Sequence, residues 1–350
     1  MFFASDNWAG ADARINQAIL DHGGGFTSGY NSGELDKQVE AQLSQIFECD
    51  LSVFFVATGT AANSLAIASV SKAGSVTFCH EEAHLVSDEC GGPEFFSGSR
   101  LCPVPGRLGK MDPAALRTAI ARFPADFLHH GRPGAVSITQ ATEIGTVHTL
   151  DEIGRITAVA KEFGLPVHMD GARFANALAS LGATPAEMTW KAGIDLLSFG
   201  GTKNGCWCAE ALICFDPALA QELAFHHKRA GQLFSKSRFV AAQFKGYLDD
   251  GHWLDMASHA NTMAQRLAAH IENSPHARLA FRPDANEIFM VLEKTRAEEL
   301  REQGAVFYEW RPPLSHGDLL KDDGEELYRL VTSFATGRQE VDAFAAALNG

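Results

Sequence analysis

The sequence predicts an α/β fold: a mostly parallel sheet in a large domain, plus a small α+β C-terminal domain. Three observations lead there. From Val53 to Phe199 short apolar runs alternate with amphipathic stretches, the βαβα order that builds a parallel sheet covered by helices on both faces. Polar insertions follow those runs, as ligand loops do at the carboxyl ends of parallel strands. After about Leu254 the order changes to a long helical stretch and three further strand-like runs.

The elements follow in order. VFFVATG, from Val53, predicts a strand, and Thr60 to Lys72 a helix of small residues. SVTFC is the next strand. Asp112 is set to cap a helix with Pro113 at its first position and Leu116, Ile120 and Phe123 on one face. AVSITQ is a strand, and Thr149 with Glu152 forms a capping box ahead of Leu150, Ile153, Ala160 and Phe163 at helical spacing. PVHM and IDLLSF supply two more strands. Beyond them a helix from Trp253 to about Asn273 leads to EIFMVLE, AVFYEW and YRLVTSFA, and EVDAFAAAL closes the chain. The change of pattern divides 350 residues into a large domain, 1–250, and a small one, 251–350, with no low-complexity linker between them.

Composition narrows the function. The chain is 46% hydrophobic and 21% charged, enough apolar surface for a core, which excludes disorder. With 43 Asp+Glu against 29 Lys+Arg the formal charge is −14, and no basic stripe interrupts it, so nucleic acid is excluded as a partner. The uncharged run from Leu51 to Ser71 carries Thr58, Gly59, Thr60, Asn63 and Ser64 near its middle, where a bilayer would penalise them; no membrane partner is expected. MFFASDNW lacks a basic region and a long apolar stretch, so no secretory leader is expected. Seven cysteines without a C-x-x-C pair predict no metal site and reduced thiols, hence a cytoplasmic setting.

The residues after each strand carry the chemistry. Thr58-Gly59-Thr60 opens a helix, which suits a phosphate or serves as an ordinary cap. Gln140-Ala141-Thr142-Glu143 follows AVSIT, and Asp170-Gly171-Ala172-Arg173 follows PVHM. Lys203 follows IDLLSF among glycines; it is either a turn lysine or an amine in a desolvated pocket, able to form a Schiff base. Asp170 at a buried strand end needs a cation, and either Arg173 or a protonated pyridine nitrogen provides one. A Schiff-base lysine, a pyridinium partner and a phosphate cup are what pyridoxal phosphate (PLP) asks of a protein.

In these motifs the sequence resembles the threonine aldolases, PLP enzymes of the aspartate-aminotransferase-like fold, fold type I. The motifs are FASDN at Phe3 to Asn7, TGTAAN, EEAHLVSDE, ITQATEIGTV, HMDGARF, FGGTKNG and RAGQLFSKSRF, with Arg329 in ELYRLVTSF. The resemblance implies PLP bound covalently to Lys203, Asp170 on the pyridine nitrogen and His84 stacked on the ring. Gly59 and Thr60 would hold the phosphate, with Gln140 and Lys236 also on the cofactor. Ser5, Arg173 and Arg329 would bind the substrate carboxylate or cofactor oxygens, as the planar fork of arginine suits. His129 matches a second histidine near the substrate's β-hydroxyl.

The implied reaction is retro-aldol cleavage of L-β-hydroxy-α-amino acids such as L-threonine, L-allo-threonine or L-phenylserine to glycine and an aldehyde. His84, His129 or a water between them would be the base. Thr202 before the lysine, and Gln140-Ala141-Thr142 where many relatives carry glutamate and asparagine, resemble a bacterial subgroup that includes phenylserine aldolases. The resemblance also implies a homodimer or homotetramer with the active site at a subunit interface. A PLP-dependent β-eliminating lyase or aminotransferase of the same fold is the alternative. A NAD-binding protein is not, because no G-x-G-x-x-G opens a helix after the first strand.

Overall fold

Seven strands form the sheet on which the polar loops are hung. In the computed structural model, which describes residues 1–350, these are β1 (Ser52–Val56), β2 (Val76–His80), β3 (Arg100–Val104), β4 (Pro133–Thr139), β5 (Val167–Gly171), β6 (Leu196–Gly200) and β7 (Glu210–Cys214). Their spatial order is β1-β7-β6-β5-β4-β2-β3. β7 runs antiparallel to both neighbours, and every other pairing is parallel. β2, β5, β6 and β7 are buried along their whole length, because helices cover both faces, and so they read as continuous apolar runs rather than alternating ones.

The predicted helices form with the predicted ends. Asp112 caps Pro113–Ala121 through a 2.7 Å bond from the Ala115 N–H. Thr149 and Glu152 cap Leu150–Glu162 reciprocally. The helix Gly59–Val70 has an almost unbroken buried run from Ala62 to Ala68. Its small side chains let it lie close against the centre of the sheet, with its N-terminus at the carboxyl end of β1.

Two strands of this sheet were not expected. β3 contains Pro103, which has no N–H to donate, and it is tolerated because β3 is the sheet edge. β7 follows the lysine loop so closely that the polar loop hid its start.

The second sheet comprises β8 (Ala277–Phe281), β9 (Glu287–Glu293), β10 (Tyr308–Trp310) and β11 (Glu325–Val331) in the order β10-β11-β9-β8, all antiparallel. Met263 and Leu267 of the helix His252–Glu272 and Phe344 of the helix Arg338–Asn349 share its core with Ile288 and Leu330. The first residues of the chain are woven in here. The Phe3 N–H donates to the Val306 carbonyl and the Phe3 carbonyl accepts from Val331, both at 2.8 Å, and the Phe3 ring is fully buried against Phe344. This strap delivers Ser5, Asp6 and Asn7 to the cleft between the two sheets. No helix is long and apolar enough to cross a membrane.

Candidate active site

A cavity of about 300 Å³ opens at the carboxyl end of the large sheet. Its wall takes residues from each polar insertion: Gly59 and Thr60 after β1, His84 after β2, Asp170 and Arg173 at the end of β5, and Lys203 after β6. Because β7 is antiparallel, its first residue, Glu210, lies at the same end. A second cavity of about 250 Å³ adjoins it through His84, Glu143, Arg173 and Lys203, and adds Ser5, Glu287, Trp310 and Arg329. Residues far apart in sequence therefore share one cleft.

Asp170 is 3% exposed. Its Oδ2 accepts from Asn63 at 2.8 Å and its Oδ1 from the Ala172 N–H at 3.0 Å. Arg173, the alternative cation for it, points elsewhere: Nε and Nη2 form a fork on Asp6 at 2.8 and 3.0 Å, and Nη1 lies 3.1 Å from Glu287. A buried carboxylate held by N–H donors but without a cation of its own fits a protonated ring nitrogen. At the opposite end Gly59 leaves the helix start open, since a Cβ there would meet nothing within 4 Å. The helix N-terminus also leaves N–H groups without intrahelical acceptors, which suits a phosphate. With Lys203 between them, the residues present fit PLP.

Three pairings tune the cleft. The His84 ring lies 2.9 Å from the buried Glu89 through Nδ1, and this hydrogen bond holds the imidazole above its ordinary pKa, against the opposing effect of burial. Asn63 ties Glu89 to Asp170, donating to the former at 2.7 Å. Burial would raise the Asp6 carboxyl, but the Arg173 charge and hydrogen bonds outweigh it and hold it below the usual range. Arg329 stacks over Trp310, 4.1 Å from its centroid, with its Nη1 3.5 Å from Glu287. Burial pushes Glu143 and Glu210 up to about 7.

Not every expected residue comes to the cleft. His129 is exposed in the segment 127–130 with its ring against Phe127, and Lys236 is exposed beyond the helix Pro217–Arg229. Neither lines either cavity. Gln140 is fully buried, and its amide is spent on the backbone of His148 at 2.9 and 3.0 Å, so Thr139 and Ala141 line the cavity in its place. Sequence reasoning missed Asn63, Glu89, Glu143, Glu210 and Glu287. Asn63 stands out as an amide in an apolar helix, and Glu143 sits in a strand-end loop that was already suspect. Glu89 closes the EEAHLVSDE motif five residues after its partner His84, whereas Glu210 and Glu287 carry no local signal.

Fold and cleft together fit a PLP-dependent enzyme of fold type I, and the comparisons with known proteins make it a lyase. The model of the beta-eliminating lyase family matches residues 3–295, and the chain belongs to that family. It is 44% identical over 307 residues to the low specificity L-threonine aldolase of a Pseudomonas species, covering 87% of this chain and 88% of the relative. It is 45% identical, with the same coverage, to the enzyme of that name from Pseudomonas aeruginosa. Among solved structures, a threonine aldolase of Leishmania major superposes with a TM-score of 0.91 at 28% identity, over 99% of this chain and 98% of that one. The serine palmitoyltransferase of Sphingomonas wittichii, at 16% identity over all of this chain and 86% of that one, shares the fold with a TM-score of 0.70.

Proposed function

We propose that this chain cleaves L-β-hydroxy-α-amino acids to glycine and an aldehyde, with PLP bound covalently to Lys203. The observation that carries the reading is Asp170: a buried carboxylate with no cation of its own, on the same cavity as Lys203. When bound, PLP supplies an electron sink for the Cα–Cβ bond pair.

The chain's own residues do the rest. Asp170, fixed by Asn63 and Ala172, holds the proton on the ring nitrogen. Gly59 and Thr60 would seat the phosphate, and His84 would stack on the ring. Arg173 and Arg329, with Ser5, grip the substrate carboxylate and so set the rotation about the bond to be broken. The reading gains support from the relatives named as L-threonine aldolases and from the shared cleft. The division at about residue 250 belongs to the same proposal, residues 1–250 carrying the cofactor loops and 251–350 carrying Arg329. So does a homodimer or homotetramer with the active site at a subunit interface, where Lys236 would reach a neighbouring subunit. Seven unpaired thiols support a cytoplasmic location.

The test is a yellow, borohydride-reducible chromophore in the purified protein that is absent in Lys203→Ala, together with release of glycine and aldehyde from L-threonine, L-allo-threonine and L-phenylserine. A chromophore unchanged in the variant sinks the assignment of Lys203. The family's name favours β-elimination as the second reading, and a keto acid with ammonia in place of glycine would establish it.

A further inference from the structure

The cleft holds a carboxylate with no assigned role. Glu143 follows β4 and lines both cavities described above, as well as a third of about 450 Å³. It therefore stands where the three cavities meet. Its two oxygens differ. Oε1 accepts from the Thr139 hydroxyl at 2.7 Å and from the His84 N–H at 2.8 Å. Oε2 is buried and has no hydrogen-bond partner, an arrangement that costs free energy until a donor arrives. The two donors on Oε1 fix the carboxylate plane and leave Oε2 free.

The groups around it decide which of them accepts a proton. His84 is tied to the buried Glu89, and this hydrogen bond raises the ring's pKa and so favours its charged, donating form. His129 is absent from these cavities. Lys203 and Asp170 face Glu143 from the cofactor side, and Asp88, Arg173 and Arg329 from the substrate side. Arg173 meets Asp6 and Glu287, and Arg329 meets Glu287 and the Trp310 ring, so neither is paired with Glu143. In the third cavity it meets the acids Glu81, Glu82, Asp88 and Glu309, with Arg311 as the cation there. No cation pairs with Glu143, so it remains free to take up a proton.

Resting on the aldolase reading, we propose that Glu143 is a catalytic residue whose Oε2 takes the proton of the substrate's β-hydroxyl as the Cα–Cβ bond breaks. The O–H pair closes the C=O of the departing aldehyde. The Cα–Cβ pair stays on the carbon that becomes Cα of glycine. A proton returns to that carbon, so the cleavage consumes and releases none overall and needs no co-reactant. The sign of the pH dependence follows. Burial raises this carboxyl to about 7, so the accepting form is scarce below that pH and grows as pH climbs through it.

The experiment compares wild type, Glu143→Gln and Glu143→Asp as PLP-loaded enzymes, measuring kcat and KM for L-threonine across neutral pH and glycine affinity by the cofactor's absorbance. Glycine has no β-hydroxyl, so its binding reports an intact site without using the proposed step. The expected result is a loss of about 100-fold or more in kcat for Glu143→Gln, partial recovery in Glu143→Asp, glycine affinity within about threefold of wild type, and loss of the acidic limb near pH 7. Retention of kcat, or an acidic limb unchanged in Glu143→Gln, overturns the proposal. Parallel collapse of glycine affinity also overturns it, by assigning Glu143 a structural role. If wild type releases no glycine and aldehyde, the aldolase reading itself falls, and this proposal with it.

Discussion

At the scale of single residues the cleft is organised by charge pairs that span the chain. Arg173 and Arg329 are like charges brought close together, and Glu287, 1% exposed, lies between them. Asp6 completes a balance of two carboxylates against two guanidinium groups. A substrate carboxylate entering this set gains a planar fork from arginine that lysine cannot copy. Arg329→Lys is therefore expected to cost about 2 kcal/mol, or ~30-fold in KM for the amino acid, with a smaller change in kcat; steady-state kinetics with L-threonine checks it. This scale was half legible in the sequence. Lys203, Asp170, Arg173 and Arg329 stand at strand ends or in motifs. Asp6 and Glu287 gain their meaning only from partners far away in the chain, as Asp6 does with Arg173, and no local pattern encodes that.

Elements carry the next layer, and here periodicity served well where one helix face or one buried strand was at stake. The helices starting at Pro113 and Leu150 begin where their caps predicted. β7 escaped notice because it is antiparallel in a parallel sheet and starts directly after the lysine loop; a direction of pairing leaves no trace in composition. The loop after β4 shows how such elements are fitted together. Gly145 has φ +75°, and a Cβ there would lie 2.5 Å from the Glu287 carbonyl on β9. Its own carbonyl accepts from Asp284 and Ala285. Gly145→Ala would strain the backbone and push β9 away, so a loss of stability well above about 1 kcal/mol is expected. A rise in substrate KM should accompany it, since Glu287 and both arginines would shift. Urea unfolding monitored beside kinetics separates this from a purely local effect.

Over the whole molecule, 14 surplus negative charges make the cationic groups of the cleft an exception suited to small anions. Architecture matters as much as charge. Phe3, fully buried in the core of the second sheet, anchors the strap that sets Asp6 against Arg173. Phe3→Ala should cost about 3–5 kcal/mol and should weaken substrate binding although Phe3 lines neither cavity. Urea unfolding and KM measured on the same preparation test the coupling, and a destabilised variant with unchanged KM would break it. The strap also orders events during synthesis. Phe3 takes its place only by accepting from Val331 and donating to Val306, residues that are synthesised long after it. A nascent chain can complete the large sheet and its lysine loop early, yet the strap that sets Asp6 against Arg173 cannot lock in place until Val306 and Val331 have been made.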